Sequence, residues 1–242
     1  MNKKNIVLIV AIILVIIALC ILINMFKNYE KDENNSEVVE QSISETIKIK
    51  DNISKYENSK KSINVAIPEF QNLEDDYERF INFKIYNNLN DVSVYKDAIE
   101  GFEEDEIGFF TYETDYERYN CDKYISIVAN QYIHLGDARP RIQKKCYVIN
   151  AETNATAVLK DVFENKNNFE AAILEEINKQ AGRKNIELVG GNGLKKLSDT
   201  QAFYIKNNKI IIYFEASEIA ATAVGELEFK MPFKMVNGLF VI

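Results

Sequence analysis

Tyr124-Ile125-Ser126-Ile127-Val128-Ala129-Asn130-Gln131-Tyr132-Ile133-His134 is followed by Leu135-Gly136-Asp137-Ala138-Arg139-Pro140-Arg141 and then by Ile142-Gln143-Lys144-Lys145-Cys146-Tyr147-Val148-Ile149. Two runs rich in β-branched and aromatic residues flank a segment punctuated by Gly and Pro. That pattern reads as a β-hairpin with a polar tip. Upstream, Phe109–Tyr116 is a further strand. Ile47 and Ile49 alternate with lysines, and Ile63, Val65 and Ile67 alternate up to Pro68, with turn residues at 56–60 between them; this predicts a second hairpin. Downstream, Ala202–Ile205 and Lys209–Glu215 surround the turn signal Lys206-Asn207-Asn208, and Leu227–Phe233 is the last strand.

Two helices interrupt the strands. From about Leu73 to Leu89, the residues Leu73, Tyr77, Phe80, Ile81, Ile85 and Leu89 recur at three-to-four spacing and predict one buried face. Asn72 ahead of Asp75 and Asp76 suits a cap and the helix dipole. Phe169 to about Gly182 is the second, with Phe169, Ile173, Leu174 and Ile177 on one side and Gly182 as the stop. Strands and helices are interspersed without strict βαβ order. The expected class is α+β, a mostly antiparallel sheet with two main helices, preceded by one transmembrane helix.

That transmembrane helix is read from the amino-terminal residues. Ile6–Ile23 is 18 apolar residues without a break, and the run resumes after Asn24 through Phe26. Its 21 positions span roughly 31 Å as a helix, enough for the hydrocarbon core. Lys3 and Lys4 precede it, so the positive-inside rule expects residues 1–5 in the cytoplasm, the helix at 6–26, and everything beyond outside the cell membrane. The run is long for a cleaved signal peptide and no small-x-small site follows it. Cys20 in Ile17-Ala18-Leu19-Cys20 faintly resembles a lipoprotein site, but Leu19 is large for one. Residues 27–44, rich in Asn, Glu, Lys and Ser, read as a flexible linker. Two exterior domains are expected, 45–155 and 156–242.

Composition narrows the function classes. Of 242 residues, 37 are acidic, 29 basic and one is His, a net charge of -8. A lone His134 builds no poly-His metal centre, so no metal and no cofactor are expected. The acidity argues against nucleic acid, which demands a basic face. Without Lys3 and Lys4 the remainder carries -10, a surface attracted to cationic proteins and repelled by anionic lipid. The acidic run Glu103-Glu104-Asp105-Glu106 lacks the D-x-D-x-D-G spacing of a calcium loop and reads as a solvated segment. The loop Gly190-Gly191-Asn192-Gly193 lacks the ending of a phosphate cradle.

The candidate binding residues are His134, Asp137, Arg139 and Arg141, clustered at the hairpin tip. Arg forks suit carboxylates of a partner, and loops are where contact residues collect; the competing reading is a polar turn paired with the chain's own acids. Glu215 and Glu218 have the residue types of a glycosidase pair, with a separation that spacing alone leaves open. Cys121 and Cys146 are the exterior cysteines. A disulfide would close a loop of about 26 residues and stabilise by ~3 kcal/mol. A hairpin turning near Asp137, however, sets Cys146 opposite Val128 to Asn130 rather than Cys121. A bond and two free thiols both stand as readings.

A family resemblance adds to this. Leu159-Lys160-Asp161-Val162-Phe163, then Phe203-Tyr204-Ile205, Tyr213 through Ala220, Ala223-Val224-Gly225 and Met231-Pro232-Phe233 resemble the carboxy-terminal domain of RsiV-type anti-sigma factors. The hairpin from Ile47 to Pro68, Ile81-Asn82 and the hairpin from Ser126 to Arg141 resemble the amino-terminal domain of PdaC-type deacetylases. The resemblance implies an exterior fold with a binding role in the cell envelope, since RsiV-type exteriors bind lysozyme. It departs where a family Gly-Gly-Ala-His loop reads Gly136-Asp137-Ala138-Arg139 here. Only Met1–Asn5 are read as lying inside the cell, so neither a sigma-binding segment nor the deacetylase catalytic domain is expected. The expected function is therefore non-catalytic: a membrane-anchored extracytoplasmic domain binding a lysozyme-like protein or a cell-wall glycan. The alternatives are a small assembly subunit of a membrane complex and, third, an unrecognised envelope hydrolase.

Overall fold

The computed structural model describes residues 43–90, 109–136, 138–163 and 169–231, all within the unit Ser42–Ile242. The apolar run Ile6–Phe26, the acidic run at 103–106 and Asp137 lie outside the described residues. No helix among the described residues is long and apolar enough to cross a membrane.

The fold is α+β, with two sheets. A short helix, α1 (Ile43–Thr46), leads into β1 (Lys48–Glu57) and β2 (Lys61–Gln71). Asn58 makes the turn between them: its Oδ1 accepts from the amides of Lys60 and Lys61 at 2.9 and 2.7 Å. After α2 (Asp75–Leu89) come β3 (Phe110–Cys121), β4 (Tyr124–Leu135), β5 (Arg141–Asn150) and the two-residue β6 (Ala155–Thr156). These six strands form one sheet in sequence order. All its neighbours are antiparallel except β2 and β3, which run parallel with Lys61 opposite Phe110. The parallel step follows from the connection, because a helical crossover returns the chain to the same end of the sheet.

α2 packs on this sheet through Ile81, Ile85 and Leu89, all fully buried with Val65, Phe70, Phe110 and Ile127. Each such side chain stabilises by about 1.5–3 kcal/mol. Phe80, expected on that face, is instead 55% exposed, as are much of Phe83 and Tyr86. The spacing alone does not separate the buried stripe from residues one position around its rim. The cap also differs from expectation. Asn72 sits at φ 73° and its Nδ2 donates to Thr46 O, whereas Glu74 takes the cap position, its carboxylate accepting from the amides of Asp76 and Tyr77. Glu74→Ala should lower stability by about 0.5–2 kcal/mol, read from urea unfolding; an unchanged midpoint would assign the cap elsewhere.

The carboxy-terminal part supplies a 3-10 turn (Leu159–Val162), α3 (Phe169–Arg183), and a three-stranded antiparallel sheet of β7 (Phe203–Lys206), β8 (Lys209–Phe214) and β9 (Leu227–Lys230). Asn207 and Asn208, both with positive φ, form the tight β7–β8 turn. α3 ends at Arg183, one residue past the expected stop at Gly182. Ile173 and Ile177 are buried and Phe169 and Leu174 pack at the margin, as the periodicity predicts. The second core joins α3 and the small sheet to Cys121, Tyr124 and Val148 of the large one. Ser126, fully buried on β4, accepts the amide of Ile205 at 2.9 Å, so the outer edge of β7 is closed by a side chain of the large sheet.

Candidate functional site

A groove of about 660 Å³ opens where the end of α2, the middle of β5 and the segment after β8 meet. α2 contributes Lys84 and Asn88, β5 contributes Lys144 to Tyr147, and β8 with its exit contributes Tyr213 and Glu215 to Glu218. Ser198, Thr200, Gln201 and Thr156 add hydroxyl and amide groups.

The groove's charges are mixed and partly tied down. Lys145 Nζ lies 3.6 Å from Glu215. Lys144 is paired with Glu228 and sits 5.2 Å from the Tyr213 ring centroid. Glu218 braces the loop, its carboxylate accepting the Glu215 amide at 2.8 Å. Ser217 at the loop's apex holds φ 72°, and its hydroxyl bonds Thr222 at 2.8 Å. Lys84 is exposed and has no ion pair among the described residues.

On the groove wall, the Tyr147 hydroxyl is buried without a hydrogen bond of ordinary geometry. Burial pushes its phenol up to about 12, while the neighbouring Asn88 side chain acts in the opposite direction. The phenol therefore stays protonated at neutral pH and keeps its O–H as a donor beside an oxygen that can accept.

Cys146 also lines the groove. It pairs with Val128, within the stretch that the sequence placed opposite it, while Cys121 closes the β3–β4 turn opposite Tyr124. Both cysteines are free. Burial pushes the Cys121 thiol up to about 11 and the Cys146 thiol up to about 12, so neither is a thiolate nucleophile at neutral pH.

The hairpin-tip residues lie apart from the groove. His134 is half-buried near the end of β4 opposite Thr111, with its ring edge-on to Tyr132 at 6.4 Å. Arg139 is exposed in the loop, and Arg141 is exposed at the start of β5 opposite Ile133. None of the three makes an ion pair with another described residue. Beside them Phe109 and Ile142 are 46% and 60% exposed. Arg141 precedes Lys144 by three residues, about 10 Å along the strand. Among the described residues no three His, Cys, Asp or Glu side chains gather about a single point. The groove offers hydrogen-bonding groups and charges of both signs. Its members come from five stretches up to 134 positions apart, and no local sequence signal brings Lys84, Lys145 and Glu215 together.

A six-stranded mixed sheet carrying one helix, joined through a shared core to a helix and a three-stranded sheet, defines the class. Within it, residues 160–234 match the family described as "Protein of unknown function (DUF3298)". A DUF3298 family protein from Pseudomonas aeruginosa PAO1 has a similar crystal structure, with TM-score 0.56 and 12% identity over 82% of this chain and 96% of that one. A member of the DUF3298 family from Bacteroides fragilis NCTC 9343 follows at TM-score 0.50 and 12% identity, covering 81% and 93%. At that identity the likeness is one of fold. No curated protein matches the chain.

Proposed function

We propose that the chain is a membrane-anchored, extracytoplasmic, non-catalytic binding module for an envelope ligand, a lysozyme-like protein or a cell-wall glycan. The groove between α2, β5 and the 215–218 loop carries this reading. It is open and lined with hydroxyls, amides and charges of both signs. Such a lining recognises a polar ligand by hydrogen bonds. The apolar run Ile6–Phe26 supports the anchor, the exterior charge suits a cationic partner, and the RsiV-type and PdaC-type resemblance supports the envelope role.

The full chain in detergent, mixed with lysozyme and separately with muropeptides, should bind one of them by pull-down and calorimetry. Lys84→Glu should weaken binding of an acidic muropeptide about tenfold, near 1.4 kcal/mol, and strengthen binding of cationic lysozyme, because Lys84 is exposed at the rim with no ion pair among the described residues. Absence of binding to either ligand removes the proposal. Binding that Lys84→Glu leaves unchanged moves the site away from the groove.

A further inference from the structure

β1 is the outermost strand of the six-stranded sheet. It pairs with β2 along its whole length, from Lys48 opposite Gln71 to Glu57 opposite Ser62, and its other edge has no strand partner among the described residues. Nine of its ten residues are exposed, with only Ile49 half-buried. Ile53 is 55% and Tyr56 53% exposed, large apolar groups left on an open edge. An edge of this length presents a row of backbone donors and acceptors to another strand.

We propose that β1 is a self-complementary edge through which two copies of this chain pair antiparallel about Ile53. The argument is one of register. A two-fold axis normal to the sheet keeps every side chain on its own face, so each residue meets one of the same parity in the second copy. Centred on Ile53, Asp51 meets Lys55 of the second copy, and Lys55 meets its Asp51. Lys50 then meets Tyr56, an ammonium beside a ring, and Asn52 meets Ser54. Centring on Asp51 or Lys55 sets like charges face to face. A centre at Ser54 opposes Asp51 to Glu57, and one at Asn52 pairs no opposite charges. Among centres that pair five or more residues of β1, Ile53 alone gives two opposite-charge pairs and no like pair, and directly opposed pairs are where cross-strand energies are won or lost.

Existing contacts leave these groups available. Asp51 receives the Tyr116 hydroxyl on one carboxylate oxygen only, and Lys50 reaches Glu69 at 3.9 Å, a loose surface contact. Lys55 has no ion pair among the described residues. Two ten-residue strands bury less than a standard interface of roughly 1,600 Å². The pairing is therefore weak between free molecules and is favoured where copies are concentrated side by side.

The test uses the full chain in membranes or vesicles, with Ile53→Cys compared against Ser54→Cys and against the parent with its three native cysteines. After mild oxidation, Ile53→Cys should give several-fold more disulfide-linked dimer than either control, because only position 53 meets itself. Adding Lys55→Asp should cut that yield several-fold, and adding Asp51→Lys to Lys55→Asp should restore it. No dimer with Ile53→Cys, or equal yields at 53 and 54, overturns the proposal, including the case where β1 takes a strand of some other protein. Circular dichroism of the exposed single substitutions controls for folding, and ligand binding at the groove is read separately, so either idea survives failure of the other.

Discussion

Phe229→Ala is expected to cost about 3–5 kcal/mol of folding stability. Phe229 is fully buried on β9, opposite Ile212, with its ring edge-on to Phe214 at 5.8 Å and the Lys184 ammonium 5.8 Å from its centroid. Truncation removes most of its side chain from the middle of the second core. The neighbours that would have to collapse into the space are Ile212 and Phe214, both held in the β8 ladder. Little relaxation is open to them, so both transfer and cavity terms count. Against a typical total of 5–15 kcal/mol, the variant sits near the limit of folding. Urea unfolding of wild type and variant measures the loss, and Phe229→Leu, which refills most of the volume, should lose less. A shift under about 1 kcal/mol for Phe229→Ala would mean that β9 stands outside the cooperative core.

The second large effect is expected from a buried polar pair. The Tyr112 hydroxyl, on a side chain 1% exposed, donates to the carbonyl of Leu89 at 2.7 Å. It accepts from Gln131 Nε2 at 2.9 Å, and that amide also reaches the Asn88 carbonyl at 3.3 Å. These carbonyls belong to the last turn of α2, where the helix has no partners of its own to offer. β3 and β4 thereby finish the helix with side chains. Tyr112→Phe keeps the ring and deletes the link, at an expected cost of about 1–3 kcal/mol. Gln131→Leu should cost a similar amount, and the double variant less than the two together, since each single change already breaks the chain of bonds. Strict additivity in thermal or urea unfolding would show that the two groups act independently.

Periodicity and turn chemistry made most elements legible in advance. The alternation at Ile63, Val65 and Ile67, the three-to-four spacing in α2 and α3, and the paired asparagines at 207–208 are local signals, and the structure places strands, helices and a turn there. What escaped depends on contacts between distant residues. The parallel pairing of β2 with β3 follows from where α2 returns the chain. Glu74 displaces Asn72 as cap because the Asn72 backbone is left-handed and its side chain is committed to Thr46. The hairpin tip was visible as punctuation around Gly136 and Pro140. The groove was not, because Lys84, Tyr147 and Glu215 become neighbours only after the two sheets share a core. Tyr204 and Ile211 illustrate the same point: they read as ordinary strand residues, yet they form with Val128 a small third cluster between the sheets.

The far end of the large sheet has a consequence of its own. β6, at the opposite edge from β1, is only Ala155 and Thr156, too short to template a strand. It pairs only with Ile149 and Asn150 of β5, and Lys144 to Tyr147 of that strand line the groove. In the language of polymerisation the two ends of the sheet are unlike: one is a long strand edge suited to a second copy, the other opens onto the groove. A pair joined at β1 would carry its two grooves at its outer ends, so pairing and ligand binding draw on opposite edges of the same sheet.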